Sequence, residues 1–580
     1  MALIRREDEE ESGALGFFPG RLEGMQRSFA QKMQDFDREN LLRLGLMLLV
    51  GLPLLCFVLY PMVHILGRSF QTAEGLGLGN YLSLLGTERF LRLLKNSFSV
   101  SLMTTGIVLA WAYAHAYALQ RTRIPFKHFL RFFALLPVFA PSLVQAQGLV
   151  LLLGRNGLIN RSLGTEFSIY GYWGIVIASV LYAFPYAFLI FSASLAMADN
   201  RLYESSRILG AGSLRTFLTV TLPSTRFALM ASGFVVFTLV ITDFGNPMVI
   251  GGDYSVLATE VYNQVIGQAN FELGAVIGMV LLLPVALAVG MEKWLNRRHS
   301  SALSDRAQPL QILPHRGRDF VFGLYAMLTS LVFLSVVGVV IFASFTHLWP
   351  YRMEFSLRHY AFDVQNGIQP LWNSIHIGLM AAGIGVVAAG FAAWVTERCR
   401  TPLDGPLYFL CIAPAAIPGM VLGLGYILAF NNPQNPVYLI YGSLVLIAIC
   451  NVYHYHAQGF LLASTSMKQI STTYDEASAV LGGTFIRTLR RVILPLMWPT
   501  LVGVGVFFFM RSMVTLSAVI FLMTPSTQVA AVSVLLLEDR GAVNQAAAFS
   551  VCIMAVVAGV LLCARILLNA LGYRHISLIR

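Results

Sequence analysis

Two polar stretches in an otherwise apolar sequence carry one pattern. Tyr203 to Pro223 reads YESSRILGAGSLRTFLTVTLP, and Asp475 to Pro495 reads DEASAVLGGTFIRTLRRVILP. Glu204 and Glu476 each stand six residues before a glycine, Gly210 and Gly482, and each glycine stands thirteen before the proline of Leu222-Pro223 or Leu494-Pro495. Arg215-Thr216 and Arg487-Thr488 share one place within the pattern. Arg201 to Leu209 can form a short helix, Gly210 and Gly212 permit a turn, and Ser213 can cap a second helix through Val220. Pro223 is tolerated in the first turn of the next span. The second copy offers Gly482-Gly483 for the turn and Thr484 as the cap, one residue earlier. A carboxylate on such a helix accepts hydrogen bonds or pairs with a cation, so the chemistry is that of a docking joint, not of catalysis. Gly and Pro punctuate any loop; matching spacing in two copies goes beyond that.

Charges inside a membrane are costly and mark function. Asp243, with Asn246, lies in ITDFGNP of the fifth apolar span, and Arg511 in FFFMRSMVTLS of the eleventh. Both are expected to face a central pathway, where they could pair or guide a charged solute; the alternative is a place near a span end, reaching the interface. Tyr453-His454-Tyr455-His456 suggests metal at first sight, but residues two apart on a helix diverge by about 200°. No carboxylate or cysteine completes a site, so no metal centre is assigned. The six cysteines show no paired spacing, and no catalytic constellation appears. There is no Gly-x-x-x-x-Gly-Lys-Ser/Thr loop to cradle nucleotide phosphates, so no motor of that class is encoded.

These residues need elements to hold them. The 580 residues are 57% hydrophobic and only 12% charged, with mean hydropathy +0.69. That is roughly half the charge of a soluble domain. Apolar runs of about 20 residues suit helices crossing a bilayer, not the alternating strands of a barrel. The expected class is an all-α polytopic membrane protein. Spans are expected at about 41–66, 96–120, 132–153, 172–197, 226–249 and 272–291, then 319–343, 372–396, 406–430, 437–463, 497–522 and 545–570. Residues 1–40 form a polar tail with no signal-peptide pattern, 41–291 a first half, 292–318 a polar linker and 319–580 a second half.

Twelve spans put both termini on one side. With that side inside, inner loops and tails hold about 28 Lys and Arg and outer loops about 9. The positive-inside rule therefore makes both termini cytoplasmic and puts both repeated loops inside. It also accounts for the net charge of +11 without nucleic acid. The halves are an internal duplication. Asn96-Ser97 matches Asn373-Ser374, Arg121 matches Arg398 and Pro137 matches Pro414, all at an offset of 277, while the polar loops match at 272. The five-residue difference is expected in the outer loop after the third span of each half. Six crossings per half make the repeats parallel, related by a pseudo-two-fold axis along the membrane normal.

The pattern Glu-Ala-Ala, three residues, Gly, then a distant Ile-x-Leu-Pro resembles the signature of permease subunits of bacterial ABC importers. Its presence in both halves resembles the fused permeases of the ferric-iron, thiamine and phosphonate type. The resemblance implies a type I importer permease fold of about 12 helices in the cytoplasmic (inner) membrane. It implies that Glu204, Gly210, Leu222 and Pro223, with Glu476, Gly482, Leu494 and Pro495, belong to coupling helices that seat on two separate ATPase subunits. Those partners would bind ATP and Mg; this chain would bind no cofactor and be no enzyme. An extracytoplasmic solute-binding protein is the third implied partner. Where the signature prefers two alanines the first copy has Ser205-Ser206 and the second Ala477-Ser478, and Val220 and Val492 stand for isoleucine. Thr242 to Gln268 includes an outer loop without Lys or Arg, polar and mildly acidic, that could dock such a binding protein. This stretch resembles permeases assigned to 2-aminoethylphosphonate, which makes a phosphonate the first expectation for the solute and ferric iron the second. The alternative is a twelve-helix secondary transporter driven by an ion gradient, which the paired loops do not fit.

Overall fold

The computed structural model describes residues 41–72, 75–297, 312, 314–362, 367–399 and 403–573. The tail 1–40 and most of the linker 292–318 lie outside the described residues. In lipid every backbone polar group needs an internal partner, so apolar runs fold as helices. In chain order these are α1 (Leu41–Phe70), α2 (Glu88–Arg121), α3 (Lys127–Phe139 bent into Leu143–Leu163), α4 (Tyr172–Ala196), α5 (Ser213–Ser224 bent into Arg226–Ile241) and α6 (Phe271–Arg297). The second set is α7 (Arg316–Ser344), α8 (Gln369–Arg398), α9 (Asp404–Ala416 bent into Gly419–Phe430), α10 (Leu444–Gln469), α11 (Phe485–Val514) and α12 (Val543–Ala570). Eight of these are long and apolar enough to cross a membrane, and the three bent pairs bring the number to 11. The remaining helix, α10, has the length, 26 residues or about 39 Å, but Asn451, His454, His456 and Gln458 dilute its apolarity.

Several expected spans run differently. α3 and α9 each turn by 107° where continuous spans were expected. The breaks fall at Ala140–Ser142 and at Ile417-Pro418, next to Pro137 and Pro414 in matched 3-10 turns. The fifth span stops at Ile241 and the eleventh at Val514; extended chain and short helices follow. Apolarity does not separate a spanning helix from irregular backbone buried in protein at membrane depth, and both satisfy the same sequence pattern.

The duplication recurs in the bonds. Asn96 Nδ2 donates to the Ser255 carbonyl at 3.0 Å and Asn373 Nδ2 to that of Ser526 at 3.1 Å. Ser97 Oγ accepts from Leu257 N and Ser374 Oγ from Ala530 N, both at 2.8 Å. Each Asn-Ser pair thus ties the second helix of its half to the chain that follows the fifth. A short hairpin follows the first helix of each half, Gln71–Thr72 with Gly75–Leu76 and Thr346–Leu348 with Arg352–Phe355.

The halves are contiguous in sequence but interlocked in space. Met47, Val50, Leu54 and Val58 of α1 are buried with Ala389, Trp394, Cys411 and Tyr453 of the second half. Ala326, Phe333 and Val336 of α7 are buried with Ala112, Leu149 and Phe184 of the first. Two matched glycines permit this. A Cβ on Gly148 would come 2.5 Å from the Val336 carbonyl oxygen, and one on Gly425 3.1 Å from that of Pro61. Each half gives its first helix to the other, and a third apolar cluster between them contains residues from both.

Candidate functional site

The first polar loop starts where the Asp199 side chain accepts from Arg201 N at 3.1 Å, capping a helix over Asn200–Ile208. Gly210 closes it with φ +71°, and Ala211 N reaches back to the Ser206 carbonyl at 3.0 Å. In the second loop, Thr473–Val480 ends at Gly482 with φ +74°, and Gly483 N reaches the Ser478 carbonyl at 2.7 Å. These six-to-one bonds across a left-handed glycine satisfy carbonyls that a helix end leaves open. Gly212 has φ −66°, which any residue adopts; it is the cap of the second helix, and Ser213 is its first residue. Thr484 is the cap as expected, accepting from Arg487 N at 3.4 Å.

A side-chain latch crosses each turn. Ser206 Oγ and Thr216 Oγ1 lie 2.8 Å apart, and Ser478 Oγ and Thr488 Oγ1 2.7 Å apart. The threonine of each repeated Arg-Thr pair therefore clasps the first short helix to the second. The serine positions are the ones where the signature prefers alanine. Pro223 and Pro495 do not open a new helix. Each follows a five-residue π turn, Phe217–Thr221 or Leu489–Ile493, inside a continuing helix. A proline ring inside a helix crowds the carbonyl four residues back, and a wider turn relieves it. Beyond that point the copies diverge: α5 bends by 63° at Thr225, whereas α11 runs unbroken from Phe485 to Val514.

An arginine from the end of the second helix of each half holds the loop from below. Arg121 Nη2 donates to Tyr203 Oη at 3.0 Å, its guanidinium 4.8 Å over that ring. Arg398 Nη1 pairs with Asp475 at 2.8 Å and Arg398 Nη2 donates to the Ile470 carbonyl at 2.7 Å. Glu204 and Glu476 follow these anchors directly and are exposed. Asn200 Nδ2 donates to Glu204 at 2.6 Å, so the first glutamate is already oriented within the chain.

Sequence reasoning passed over the most exposed part. Ile208 and Leu209 are 86% and 81% exposed, and their matches Val480 and Leu481 are both 87% exposed. Leu214 and Ile486 stand out beside them. An apolar pair directly before each conserved-spacing glycine was present in both copies as a signal. Together with the glutamates these residues make two matched apolar knobs with an acidic flank.

Asp243 and Arg511 do line one cavity, of about 130 Å³, between the halves. Its walls include Ser142 and Pro418 at the breaks of α3 and α9, Tyr182 of α4, and His454 and Tyr455 of α10. Asp243 lies just past α5, not within it, and caps the helix Gly245–Ile250: its oxygens accept from Gly245 N at 3.2 Å, Asn246 N at 3.4 Å and Asn246 Nδ2 at 2.7 Å. Asn246 is fully buried behind Asp243 and is not among the residues that line the cavity. Arg511 Nη1 donates to Tyr186 Oη at 3.0 Å, with the guanidinium 4.5 Å over the Tyr455 ring. No ion pair joins Arg511 to Asp243 among the described residues. The expected divergence of the histidines is seen: His454 faces the cavity, while His456 stacks on Phe460 at 6.3 Å.

The stretch Thr242 to Gln268 is less open than a free loop. Glu260, 2% exposed, pairs with Arg89 at 3.1 Å and accepts from Gln264 at 2.7 Å. Exposed surface there is confined to Gly252-Asp253 and Ile266 to Ala269.

Residues 92–301 match the family described as binding-protein-dependent transport system inner membrane component. A putative ferric transport system permease protein, FbpB 1 of Haemophilus influenzae, is 30% identical over 82% of this chain and 77% of its own length. The ferric transport system permease protein FbpB of Actinobacillus pleuropneumoniae is 30% identical over 90% of this chain and 77% of its own. A putative 2-aminoethylphosphonate transport system permease protein, PhnV of Salmonella paratyphi A, is 25% identical over 42% of this chain and 92% of its own.

Proposed function

This chain belongs to the inner-membrane permeases of binding-protein-dependent ABC importers, in duplicated form, and from that premise we propose that its two polar loops are the docks for two ATPase subunits and its central cavity is the solute pathway. The observation that carries the docking role is the repeated knob. Ile208-Leu209 and Val480-Leu481 project into open space from rigid, latched turns of equal geometry. Exposed apolar side chains rimmed by charge mark a protein contact. ATP and Mg are held on the partners, and this chain supplies no catalytic group. With the loops on the cytoplasmic side, both termini are cytoplasmic, in keeping with the charge bias of the loops. A solute-binding protein delivers from the opposite face.

For the solute, ferric iron takes precedence over a phosphonate. The two relatives that reach 30% identity, over 82% and 90% of this chain, are ferric permeases by name, whereas the phosphonate permease is 25% identical over only 42% of this chain. The likeness of Thr242 to Gln268 to phosphonate permeases keeps the second reading open to test. The decisive experiment is reconstitution of the permease with the ATPase and binding protein of its operon in proteoliposomes. ATP-dependent uptake of ⁵⁵Fe(III) is expected. Uptake that continues without ATP while an ion gradient is held, with no ATPase copurifying, overturns the reading in favour of a secondary transporter. ATP-dependent uptake of 2-aminoethylphosphonate instead of iron overturns only the solute.

A further inference from the structure

The cavity between the halves holds one guanidinium and one carboxylate, and they do not neutralise each other. Asp243 is engaged by three N–H donors of its own helix start. Arg511 is oriented by phenols: Tyr186 accepts from it, Tyr455 lies under it and Tyr182 is a third hydrogen-bond partner. Phenols fix a guanidinium in place without cancelling its charge, and arginine stays protonated at any physiological pH. The result is a fixed guanidinium, held apart from the carboxylate, facing a space at membrane depth.

The duplication says that the fold does not require it. At the offset of 272 that relates α5 to α11, the place of Arg511 is taken in the first half by Leu239, which also lines the cavity. The same architecture is therefore built with leucine at the equivalent position. A cation maintained at cost in one half only, with its planar fork on a cavity, is suited to an oxyanion, which it can engage with two parallel N–H donors. Around it stand further polar groups on the same wall: Gln458, Thr515 and Ser517.

We infer that Arg511 forms an anion subsite in the pathway, so that the solute crosses presenting an oxyanion group: a phosphonate, or the carboxylates of a chelate that carries ferric ion. This rests on the reading of the cavity as the solute pathway. The test compares wild type with Arg511→Leu, the first-half residue, and Arg511→Lys. In the purified permease–ATPase complex, ferric citrate, 2-aminoethylphosphonate and inorganic phosphate are titrated while thermal melting is followed. Wild type is expected to be stabilised by at least one of these anions, Arg511→Leu by none, and Arg511→Lys at roughly tenfold higher concentration. In proteoliposomes, Arg511→Leu is expected to lose uptake tenfold or more while ATP hydrolysis stimulated by the loaded binding protein persists. Which labelled anion is carried separates the phosphonate source from the chelate. Failure of all anions to stabilise wild type overturns the subsite, even if iron uptake is ATP-driven. So does undiminished uptake by Arg511→Leu, or a parallel loss of melting temperature and stimulated hydrolysis, which would make Arg511 a packing residue. Anion stabilisation that needs Arg511 without ATP-driven uptake supports the subsite and rejects only the importer assembly proposed above.

Discussion

Gly482 holds φ at +74° with open space where a Cβ would stand. Its substitution is therefore a backbone problem and not one of crowding. Gly482→Ala is expected to destabilise the turn by about 1–2 kcal/mol, the cost of a left-handed L-residue. ATPase affinity for the purified permease should fall by roughly a factor of ten; unchanged affinity would mean that the turn is not part of the dock. The latch gives a second expectation. Thr488→Val keeps the shape and removes the hydroxyl bonded to Ser478, at about 1 kcal/mol. Hydrogen exchange of the amides from 473 to 488 should quicken accordingly, and Ser478→Ala should add little to the change. The glutamates, the glycines and the Thr484 cap were readable as spacing, whereas the first copy's cap is Gly212 and not the expected Ser213. Serines 206 and 478 looked like departures from a signature because their partners, ten residues on, become neighbours only when the glycine reverses the chain.

At the level of elements, each repeated loop is a pair of short helices with an apolar knob at the tip. Leu481→Asp, alone or with Val480→Asp, is expected to leave insertion and melting of the permease unchanged while reducing ATPase association at least tenfold, measured by copurification or binding titration. Val480 and Leu481 are both 87% exposed, so a drop in melting temperature would show that the knob has an internal role instead. The two loops lead into different elements. α11 continues unbroken from its loop to Arg511, whereas α5 bends by 63° just past its own. Twelve apolar elements were legible from run length and charge, and α10 was found despite its polar centre. The sharp breaks in α3 and α9 were not legible, because Pro137 and Pro414 are compatible both with a kinked helix and with a reversal. Only packing across the cavity decides between them.

Over the whole molecule, buried polar contacts tie the halves together away from the docks. Gln147 of α3 donates to Glu538 at 2.6 Å and accepts from Ser550 of α12 at 3.0 Å. Glu538 lies in the helix Ala530–Asp539 between α11 and α12. Burial pushes its carboxyl up to about 7, with Gln147 opposing the rise. Above its ordinary value of 4.5 the unfolded chain gives up this proton while the folded one keeps it. This contribution to stability is therefore full at low pH, falls as pH rises towards about 7, and is lost above it. Melting of the wild type is expected to decline between about pH 5 and 8, and Glu538→Gln to flatten that decline. An unchanged slope would place the titrating group elsewhere.

The exchanged first helices have a consequence for how the chain is made. The surface that α1 covers, from Ala389 through Tyr453, is synthesised more than 300 residues after Val58. At a translation rate of about 5–20 residues per second, α1 waits in the bilayer for tens of seconds with its future contact face turned to lipid. No completed first half precedes the second as a finished unit; the two mature together, and the emergence of α8 to α11 releases the first helix from waiting.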